Sequence, residues 1–444
     1  MSDHYGLLNW HCHGGTNVFR VKALNETSRY VLTEDDDPET QETGDGLDNM
    51  TNSKYYSIVY SICCLIAAFD DYHPHCDWYM GESMAEGFTN MFSNICGPNL
   101  LGNTRDGYQG TSPALQREFY DLITDATNAP DTYGSFLHLG VSELVSKDTY
   151  GNHFLSYSHN LFGCPETRIW TTTPSTLSSA SVTVNSSNIV VNAGVTSCDI
   201  CVSSGDNGSS YYLAVSGVQS YTFSTSVRPL YITITKPNYI PYTAITGGSF
   251  STAETWFGNL HLLGTVTFTG NGSLTILPGT QVLMDGYYSL GFYDNARLIA
   301  EGTSGSPIIF TSTNGTSRKS WNRLYLRTSN NILKYCEVEY GDWAIHGYGN
   351  PSTGNVIENC IIHDNDQGIR IEKVNADINN CNIYNNRHNI VTINNPQVDI
   401  QGTRIYNGGR DGIYSYSGSL VRIYGSVIEN NGIGGTSSRN GIYA

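Results

Sequence analysis

The pattern of hydrophobic and polar positions along the 444-residue chain predicts three successive regions. In the first region, the apolar runs Leu7–Trp10 and residues 55–63 are nearly continuous, which is typical of strands buried on both faces of a parallel sheet. Apolar residues recur at helical spacing over residues 82–92 and 113–127, and we expect Ser112 to cap the second of these helices. Strands that alternate with helices predict an α/β domain.

The helical signal ends near residue 173, where alternating Ser, Thr and Val positions begin. Short segments of this kind follow one another at a spacing of about ten residues, and a Gly-Asp-Asn-Gly turn interrupts them at 205–208. This pattern predicts a small β-sandwich. We therefore divide the chain into an α/β domain at 1–172, a sandwich at 173–247 and a third region at 248–444.

The third region repeats itself at a period of about 22 residues, as in the segments that begin at Asn359 and Asn380. A fixed period of this size is the signature of a solenoid, and the Asn/Asp/Gly turns between short strands favour a right-handed parallel β-helix. We expect about four or five recognisable coils. A small residue occupies the same register position in five successive repeats, and we expect these side chains to stack inside the coils: Cys336, Cys360, Cys381, Thr403 and Ser426. We expect the three cysteines to be reduced and to serve as packing residues.

Composition excludes several classes of partner. The formal net charge of -17 argues against nucleic acid or an anionic membrane surface, because both require basic patches. No apolar run is long enough for a membrane-spanning helix. The eleven cysteines are an odd number without the spacing of a disulfide-stapled domain, so we expect at least one free thiol.

Two strand ends carry side chains suited to cysteine hydrolase chemistry, which needs a thiolate, a histidine base and N–H donors for an oxyanion. Leu7–Trp10 leads into His11-Cys12-His13-Gly14, and the strand at 55–63 leads into Cys64. The order, a histidine and then a cysteine about fifty residues later, is the spacing of caspases. We select His13 and Cys64 and retain the adjacent His11 and Cys63 as alternates.

The same residues resemble the gingipain-like (C25) peptidases of the caspase-like clan. The resemblance covers roughly residues 5–245. It rests on five segments of the first region, 9–15 (Asn-Trp-His-Cys-His-Gly-Gly), 60–70, 83–88 (Ser-Met-Ala-Glu-Gly-Phe), 102–105 (Gly-Asn-Thr-Arg) and 159–165, and on residues 234–242, which resemble the closing strands of the family's immunoglobulin-like domain. It implies a partial caspase-like α/β domain, an immunoglobulin-like sandwich after it, His13 as the base and Cys64 as the nucleophile. We assign the N–H groups of Gly14 and Cys64 to the oxyanion.

Two features of this chain depart from the family pattern. Cys12 and Cys63 stand where the family commonly has glycine or another small residue. The acid that orients the histidine in gingipains lies far upstream of it, whereas twelve residues precede His13 here. We therefore expect the chain to be a fragment of a longer protein.

Three further groups of residues are weaker candidates. The acidic run at 34–48 offers oxygen ligands for structural calcium, although a solvated loop is the favoured interpretation. Cys198 and Cys201 have zinc-like spacing without a second pair, which favours coincidence in a strand. The aromatic residues at 287–292 suit either a sugar ligand or an ordinary solenoid face.

The function expected from the sequence is that of a secreted or cell-surface cysteine endopeptidase. Its substrate would be a protein or peptide, its chemistry needs no cofactor, and a structural calcium ion at 34–48 stays an open alternative. The competing hypothesis is a catalytically inactive extracellular binding or adhesion protein whose β-helix contacts a glycan or another surface partner.

Overall fold

The computed structural model describes residues 7–10, 13–15, 18–22, 29–33, 58–68, 83–86, 88–89, 99–108, 111–205, 208–349, 354–433 and 441–443. Between residues 13 and 33 it describes the backbone alone. The chain divides into two compact units, residues 1–175 and 176–444. Among the helices that it describes, none is long and apolar enough to cross a membrane.

The first unit combines short strands with helices. Its strands are β1 (Leu7–Trp10), β2 (His13–Gly15), β3 (Val18–Lys22), β4 (Arg29–Thr33), β5 (Ile58–Ser61), β6 (Asn99–Asn103) and β7 (His159–Gly163). Its helices are α1 (Met84–Glu86), α2 (Ser112–Asn128), α3 (Pro130–Tyr133), α4 (Leu139–Tyr150) and α5 (His153–Ser158), with a 3₁₀ turn at Gly134–Leu137.

A four-stranded sheet in the order β1-β5-β6-β7 forms the centre of this unit. The first three strands are parallel, and β7 pairs antiparallel with β6. All four residues of β5 are buried, with Val59 in a core on one face of the sheet and Tyr60 in a core on the other. This burial explains the continuous apolar run and confirms the predicted buried strand, which spans four residues of the run at 55–63.

The helices agree with the sequence prediction in position and differ in detail. The helix expected at 113–127 is α2, Ser112–Asn128. The expectation that Ser112 is its cap is wrong: Thr111 takes the N-cap position, and the Ser112 hydroxyl accepts a hydrogen bond from the Tyr108 N–H at 3.0 Å. Of the helix expected at 82–92, the described residues contain the short α1, Met84–Glu86.

The second unit begins with a β-sandwich. Its strands are β8 (Ser175–Thr176), β9 (Ser181–Val184), β10 (Asn188–Asn192), β11 (Cys198–Ser204), β12 (Tyr212–Val218), β13 (Ser220–Ser224), β14 (Leu230–Thr235), β15 (Tyr239–Ile240) and β16 (Tyr242–Ile245). The sheet β13-β10-β9 contributes Ile189 and Phe223 to the same core as Ile200 and Ile232 of the sheet β12-β11-β14-β16. Two sheets therefore face each other across one apolar layer.

The remaining strands form a parallel β-helix. They are β17 (Gly248–Phe250), β18 (Ala253–Trp256), β19 (Asn259–Leu262), β20 (Val266–Phe268), β21 (Ser273–Ile276), β22 (Gln281–Met284), β23 (Ser289–Phe292), β24 (Arg297–Glu301), β25 (Ile308–Ser312), β26 (Trp321–Leu326), β27 (Ile332–Lys334), β28 (Cys336–Glu339), β29 (Gly341–Tyr348), β30 (Asn355–Glu358), β31 (Ile361–His363), β32 (Gln367–Glu372), β33 (Ala376–Asn379), β34 (Asn382–Tyr384), β35 (His388–Ile393), β36 (Gln397–Gln401), β37 (Arg404–Tyr406), β38 (Ile413–Tyr416), β39 (Leu420–Tyr424), β40 (Val427–Glu429) and β41 (Ile442–Tyr443).

Each complete coil contributes one strand to each of three sheets. The first sheet starts in the sandwich and continues through β16 and β19 to β40, the second runs from β17 to β41, and the third runs from β18 to β39. Because β16 pairs in parallel with β19, sandwich and β-helix share one continuous sheet. The repeats visible in the sequence are the later coils, whereas the earlier coils, with less regular turns, were missed.

The expected stack of small side chains is confirmed inside the coils. Cys336, Cys360 and Cys381 are free, buried thiols. The Cys336 N–H donates to the Cys360 sulfur at 3.4 Å, and the Cys381 N–H donates to the Thr403 hydroxyl at 3.2 Å. The stack thus supplies acceptors for backbone N–H groups at the bend of each coil.

Candidate active site

The segment after β5 places two adjacent cysteines in different environments. Cys63 is 1% exposed and lies in the core with Val59 and Met84, whereas Cys64 is partly exposed. The Cys63 sulfur lies 3.8 Å from the carbonyl oxygen of Trp10, the last residue of β1. Of these two thiols, Cys64 is therefore the one that solvent and a substrate can reach.

The Cys64 sulfur contacts the backbone of Gly107 on the neighbouring segment. The Gly107 N–H donates to Sγ at 3.2 Å, and Sγ lies 3.6 Å from the Gly107 carbonyl oxygen. A sulfur that accepts an N–H hydrogen bond is held in one orientation, and the thiolate, which is the nucleophilic form, is the better acceptor. A side chain at 107 would disturb this contact, since a Cβ there would lie 2.6 Å from the Ile62 carbonyl oxygen.

The turn that carries Cys64 is fixed by bonds to the end of β6 and the residues after it. The Asn103 side-chain NH2 group donates to the Cys63 carbonyl at 3.2 Å. The main-chain carbonyl of Asn103 accepts a hydrogen bond from the Ala67 N–H at 3.1 Å. The Leu65 N–H donates to the Arg105 carbonyl at 3.2 Å. Leu65 has a φ of 57°, a left-handed conformation that costs a non-glycine residue roughly 1 kcal/mol. Strain of this kind persists where the surrounding bonds enforce it, as it does beside many functional groups.

A buried ion pair lies beneath the same strand end. The His159 Nδ1 is 2.7 Å from Glu143 Oε1, and its Nε2 is 3.0 Å from the Ser61 carbonyl oxygen. Lys147 Nζ lies 3.0 Å from the same Glu143 oxygen. The carboxylate and the carbonyl both accept hydrogen bonds, so the two ring nitrogens of His159 bridge Glu143 to the Ser61 carbonyl.

The pKa of Glu143 reflects this environment. Burial by itself would raise the pKa, but the charge and hydrogen bond of His159, together with those of Lys147, outweigh burial and lower it below 4.5. Glu143 is therefore ionised at neutral pH. The pair anchors Ser61, three residues before Cys64, and acts on the position of the turn rather than on a substrate.

The predicted base lies on the strand that follows β1. Trp10 pairs with Ser61 in the parallel register of β1 and β5, and His13 and Cys64 each follow these paired ends by three residues. His13 and Gly14 belong to β2, which pairs antiparallel with β3 through His13↔Arg20 and Gly14↔Phe19. The side chain of His13 lies outside the described residues, and so do the alternate base His11 and its neighbour Cys12. The roles of His13 and Gly14 therefore stay predictions.

Sequence reasoning missed three residues of this site: Gly107, Asn103 and Glu143. Asn103 and its site neighbour His159 lie in segments that carry the family resemblance, so the resemblance indicated that these segments belong to the site. Gly107 and Glu143 had no such signal, because their contacts join residues 43 and 16 positions apart and cross between elements.

The candidate metal ligands fall into three groups. Residues 34–48 lie outside the described part of the chain. Cys198 is buried and Cys201 partly exposed on the alternating strand β11, so they point to opposite faces, as a strand coincidence requires. Within the described ranges, Glu337, Glu339 and His363 on the β-helix place ligand atoms within 4.8 Å of one another, where His363 Nε2 contacts Glu337 at 2.9 Å.

Comparison with known proteins identifies two regions. Residues 1–170 match the model of peptidase family C25, and residues 300–443 match that of the right-handed β-helix region. No curated protein matches the chain.

Among solved structures, the chain is similar to the Arg-specific cysteine proteinase gingipain R, with 11% identity and a TM-score of 0.39 over 55% of this chain and 52% of that one. It is also similar to the complex of Porphyromonas gingivalis RgpB pro- and mature domains, with 11% identity and a TM-score of 0.38 over 55% and 54%. The chain thus spans about half the length of these gingipain chains. Residues 1–170 are thus similar to peptidase family C25, and residues 300–443 to right-handed β-helix regions.

Proposed function

We propose that the chain carries the His-Cys site of a secreted or cell-surface cysteine endopeptidase, with Cys64 as the nucleophile and His13 as the base. The observation that supports this proposal most strongly is the Cys64 thiol itself. It is accessible, oriented by the Gly107 N–H, and set just past the carboxyl end of a buried parallel strand. Open α/β sheets bind their ligands at this edge.

In the proposed reaction, the Cys64 thiol transfers its proton to the His13 imidazole and the sulfur attacks the scissile carbonyl carbon. The N–H groups of Gly14 and Cys64 stabilise the oxyanion that forms. Collapse of this intermediate breaks the C–N bond, the leaving amine takes the proton from His13, and a thioester remains on Cys64. Water then loses a proton to His13 and attacks the thioester, which releases the acid and restores the thiol.

We further propose that the sandwich at 173–247 is the immunoglobulin-like domain that follows the catalytic domain in the family. The two facing sheets with one shared core support this assignment.

The test is turnover of a mixed peptide library by the chain and three variants. We expect Cys64→Ala and His13→Ala to lower kcat/KM by about ten-thousandfold or more, since a nucleophile and its base act as one unit. Cys63→Ala is the matched control, because it removes the neighbouring buried thiol and should retain most of the activity. Equal loss from Cys63→Ala and Cys64→Ala would refute the assignment of the nucleophile.

The competing function, a noncatalytic binding protein, predicts no turnover in any variant and no covalent labelling by a peptidyl acyloxymethyl ketone. A labelled Cys64 would exclude it.

A further inference from the structure

The outward side of the second β-helix sheet concentrates aromatic and cationic side chains. Six residues from successive coils define what we call the aromatic–cationic face: Tyr293, Arg323, Arg327, Trp343, Tyr348 and Lys373. Parallel pairing sets Arg323 beside Trp343. Arg327 directly follows strand β26, and Tyr348 is the last residue of the adjacent strand β29. Neighbouring coils are about 4.8 Å apart, so these groups form a continuous surface along the β-helix.

The aromatic rings hold the cations in place. The Arg323 guanidinium lies 3.9 Å from the centre of the Trp343 ring. Arg327 lies 5.6 Å from the Tyr293 ring and 5.4 Å from the Tyr348 ring, and Lys373 Nζ lies 5.4 Å from the Tyr348 ring. These are cation–π distances, which orient a positive charge without neutralising it.

The charges of this face are largely unneutralised. Among the residues that the structure describes, Arg323, Arg327 and Lys373 form no ion pair, although the chain as a whole has 40 acidic and 23 basic residues. The first sheet has the opposite character, since there His363 lies between Glu337 and Glu339. The cations of the aromatic–cationic face are therefore available to an anionic ligand.

Burial and the neighbouring arginines together lower the pKa of His346, which lies beneath this face. It is 3% exposed and accepts a hydrogen bond on Nδ1 from Arg323 at 3.2 Å. Burial, followed by the charges of Arg323 and Arg370, lowers its pKa to about 3. His346 thus stays neutral and leaves the positive charge to the arginines.

Clefts in this surface are large enough for a ligand. One has a volume of about 480 Å³ and is lined by Tyr293, Arg327, Tyr348 and Lys373, with the carboxylate of Asp294 at its edge. A second, of about 310 Å³, lies over later coils and includes Arg370 and Asp411. Volumes of this size are typical of sites for small organic ligands.

We propose that the aromatic–cationic face binds an acidic oligosaccharide. Its carboxylate or sulfate groups would pair with Arg327 and Lys373, and its sugar rings would pack on Tyr293 and Tyr348. The inference goes beyond the peptidase function and rests on β-helix residues alone.

The acceptors in the clefts favour a sugar over a single-stranded nucleic acid. Asp294 and Asp411 can accept hydrogen bonds from the hydroxyl groups that line every sugar ring, although both carboxylates repel any anionic group, whether phosphate, sulfate or carboxylate.

The test is calorimetric titration of the full chain at low salt with four ligands: a hexagalacturonate, its methyl ester, a sulfated hexasaccharide and a single-stranded oligonucleotide. We expect at least one of the acidic sugars to bind and the uncharged ester to bind at least about tenfold more weakly. Whether hexagalacturonate or the sulfated sugar binds more tightly tells carboxylate from sulfate recognition.

Variants assign the binding to this face. The double change Arg327→Gln and Lys373→Gln, and separately Tyr348→Ala, should each weaken binding about tenfold or more. Arg404→Gln is the matched control, an exposed arginine on the first sheet that pairs with Glu429, and it should bind as the unchanged chain does.

Three outcomes would overturn the proposal. They are equal binding of the hexagalacturonate and its methyl ester, no binding of either acidic sugar, and tighter binding of the oligonucleotide than of both acidic sugars, with that binding lost in the same variants. Because Cys64→Ala should leave sugar binding intact, failure of the peptidase proposal and failure of this one are distinguishable.

Discussion

Gly107 donates its backbone N–H to the Cys64 sulfur at 3.2 Å, which joins the turn after β5 to the segment after β6. This contact gives an otherwise ordinary partly exposed cysteine a fixed direction. It also explains why position 107 is a glycine, since the Cβ of any other residue would lie 2.6 Å from the Ile62 carbonyl and 3.0 Å from the Asn103 amide nitrogen.

Replacement of Gly107 by alanine should therefore reduce activity without removing the nucleophile. The backbone must shift to relieve the contact with Ile62, and a displacement of about 1 Å in a catalytic group lowers the rate about a hundredfold. The measurement is kcat/KM of Gly107→Ala with the best peptide of the library. Gly305→Ala is the control, because a Cβ there meets no atom within 4 Å. Unchanged activity in Gly107→Ala would mean that the contact does not position the thiol.

The Glu143–His159 pair predicts a specific loss of stability in acid. The pKa of Glu143 is lowered in the folded chain, so its ionised form stabilises the fold above the unfolded value of about 4.3. That contribution should disappear as the pH falls below this value through the folded pKa. Glu143→Gln should cost about 3 kcal/mol at pH 7, because it removes the buried carboxylate that pairs with Lys147 and with the His159 ring.

Thermal unfolding of the chain and of Glu143→Gln from pH 7 to pH 3 measures this effect. The difference in unfolding temperature should be largest at pH 7 and should narrow below pH 4. Asp121→Asn, at an exposed position of α2, is the control and should shift the temperature little at any pH. A difference that is constant across the range would contradict an ionised pair.

Buried asparagines stabilise the later coils in a way that one substitution can test. The Asn386 side-chain carbonyl accepts the Asn365 backbone N–H at 2.9 Å, and its amide donates to the Ile362 carbonyl at 3.0 Å. Asn386→Ala would leave these buried groups unsatisfied, at a cost of about 2 kcal/mol. Asn382→Ala, at an exposed position of β34, should cost little. Denaturant unfolding of both variants decides the matter, and equal stability would show that water replaces the lost bonds.

The period of the repeats explains why the β-helix was predictable. Each coil places the same small residue at the same bend, so Cys336, Cys360 and Cys381 revealed the inward register before any contact was known. The left-handed turn residues, such as Asn359 and Asn380 with φ of 53°, gave the second signal, because asparagine tolerates this conformation. The count of coils was too low, since the earlier coils lack these regular markers.

The candidate active site was predictable only where its residues directly follow a strand in the sequence. A buried run that ends in Cys64 indicates a strand and its carboxyl end, but it does not reveal which of two adjacent thiols faces solvent. That choice depends on packing: Cys63 fills the core beside Val59, which leaves Cys64 outside. Gly107 and Glu143 contribute through non-local contacts that no periodicity encodes.

The buried cysteines of the β-helix should be inert toward thiol reagents. All three are at most 2% exposed, so a reagent cannot reach their sulfurs, and burial also raises the pKa of the Cys336 thiol well above its ordinary value. We expect Cys336, Cys360 and Cys381 to react with iodoacetamide only after denaturation, whereas exposed Cys164 should react in the folded chain. Rapid labelling of all three in the folded protein would contradict their inward placement.

The most direct test of the account is the site of covalent labelling by a peptidyl acyloxymethyl ketone, mapped by mass spectrometry on the full chain. We predict that Cys64 carries the label, that Cys63 does not, and that His13→Ala greatly slows the labelling, because the histidine must hold the proton of the thiol. Labelling of Cys63, or labelling of Cys64 at a rate independent of His13, would contradict the assignment of the site.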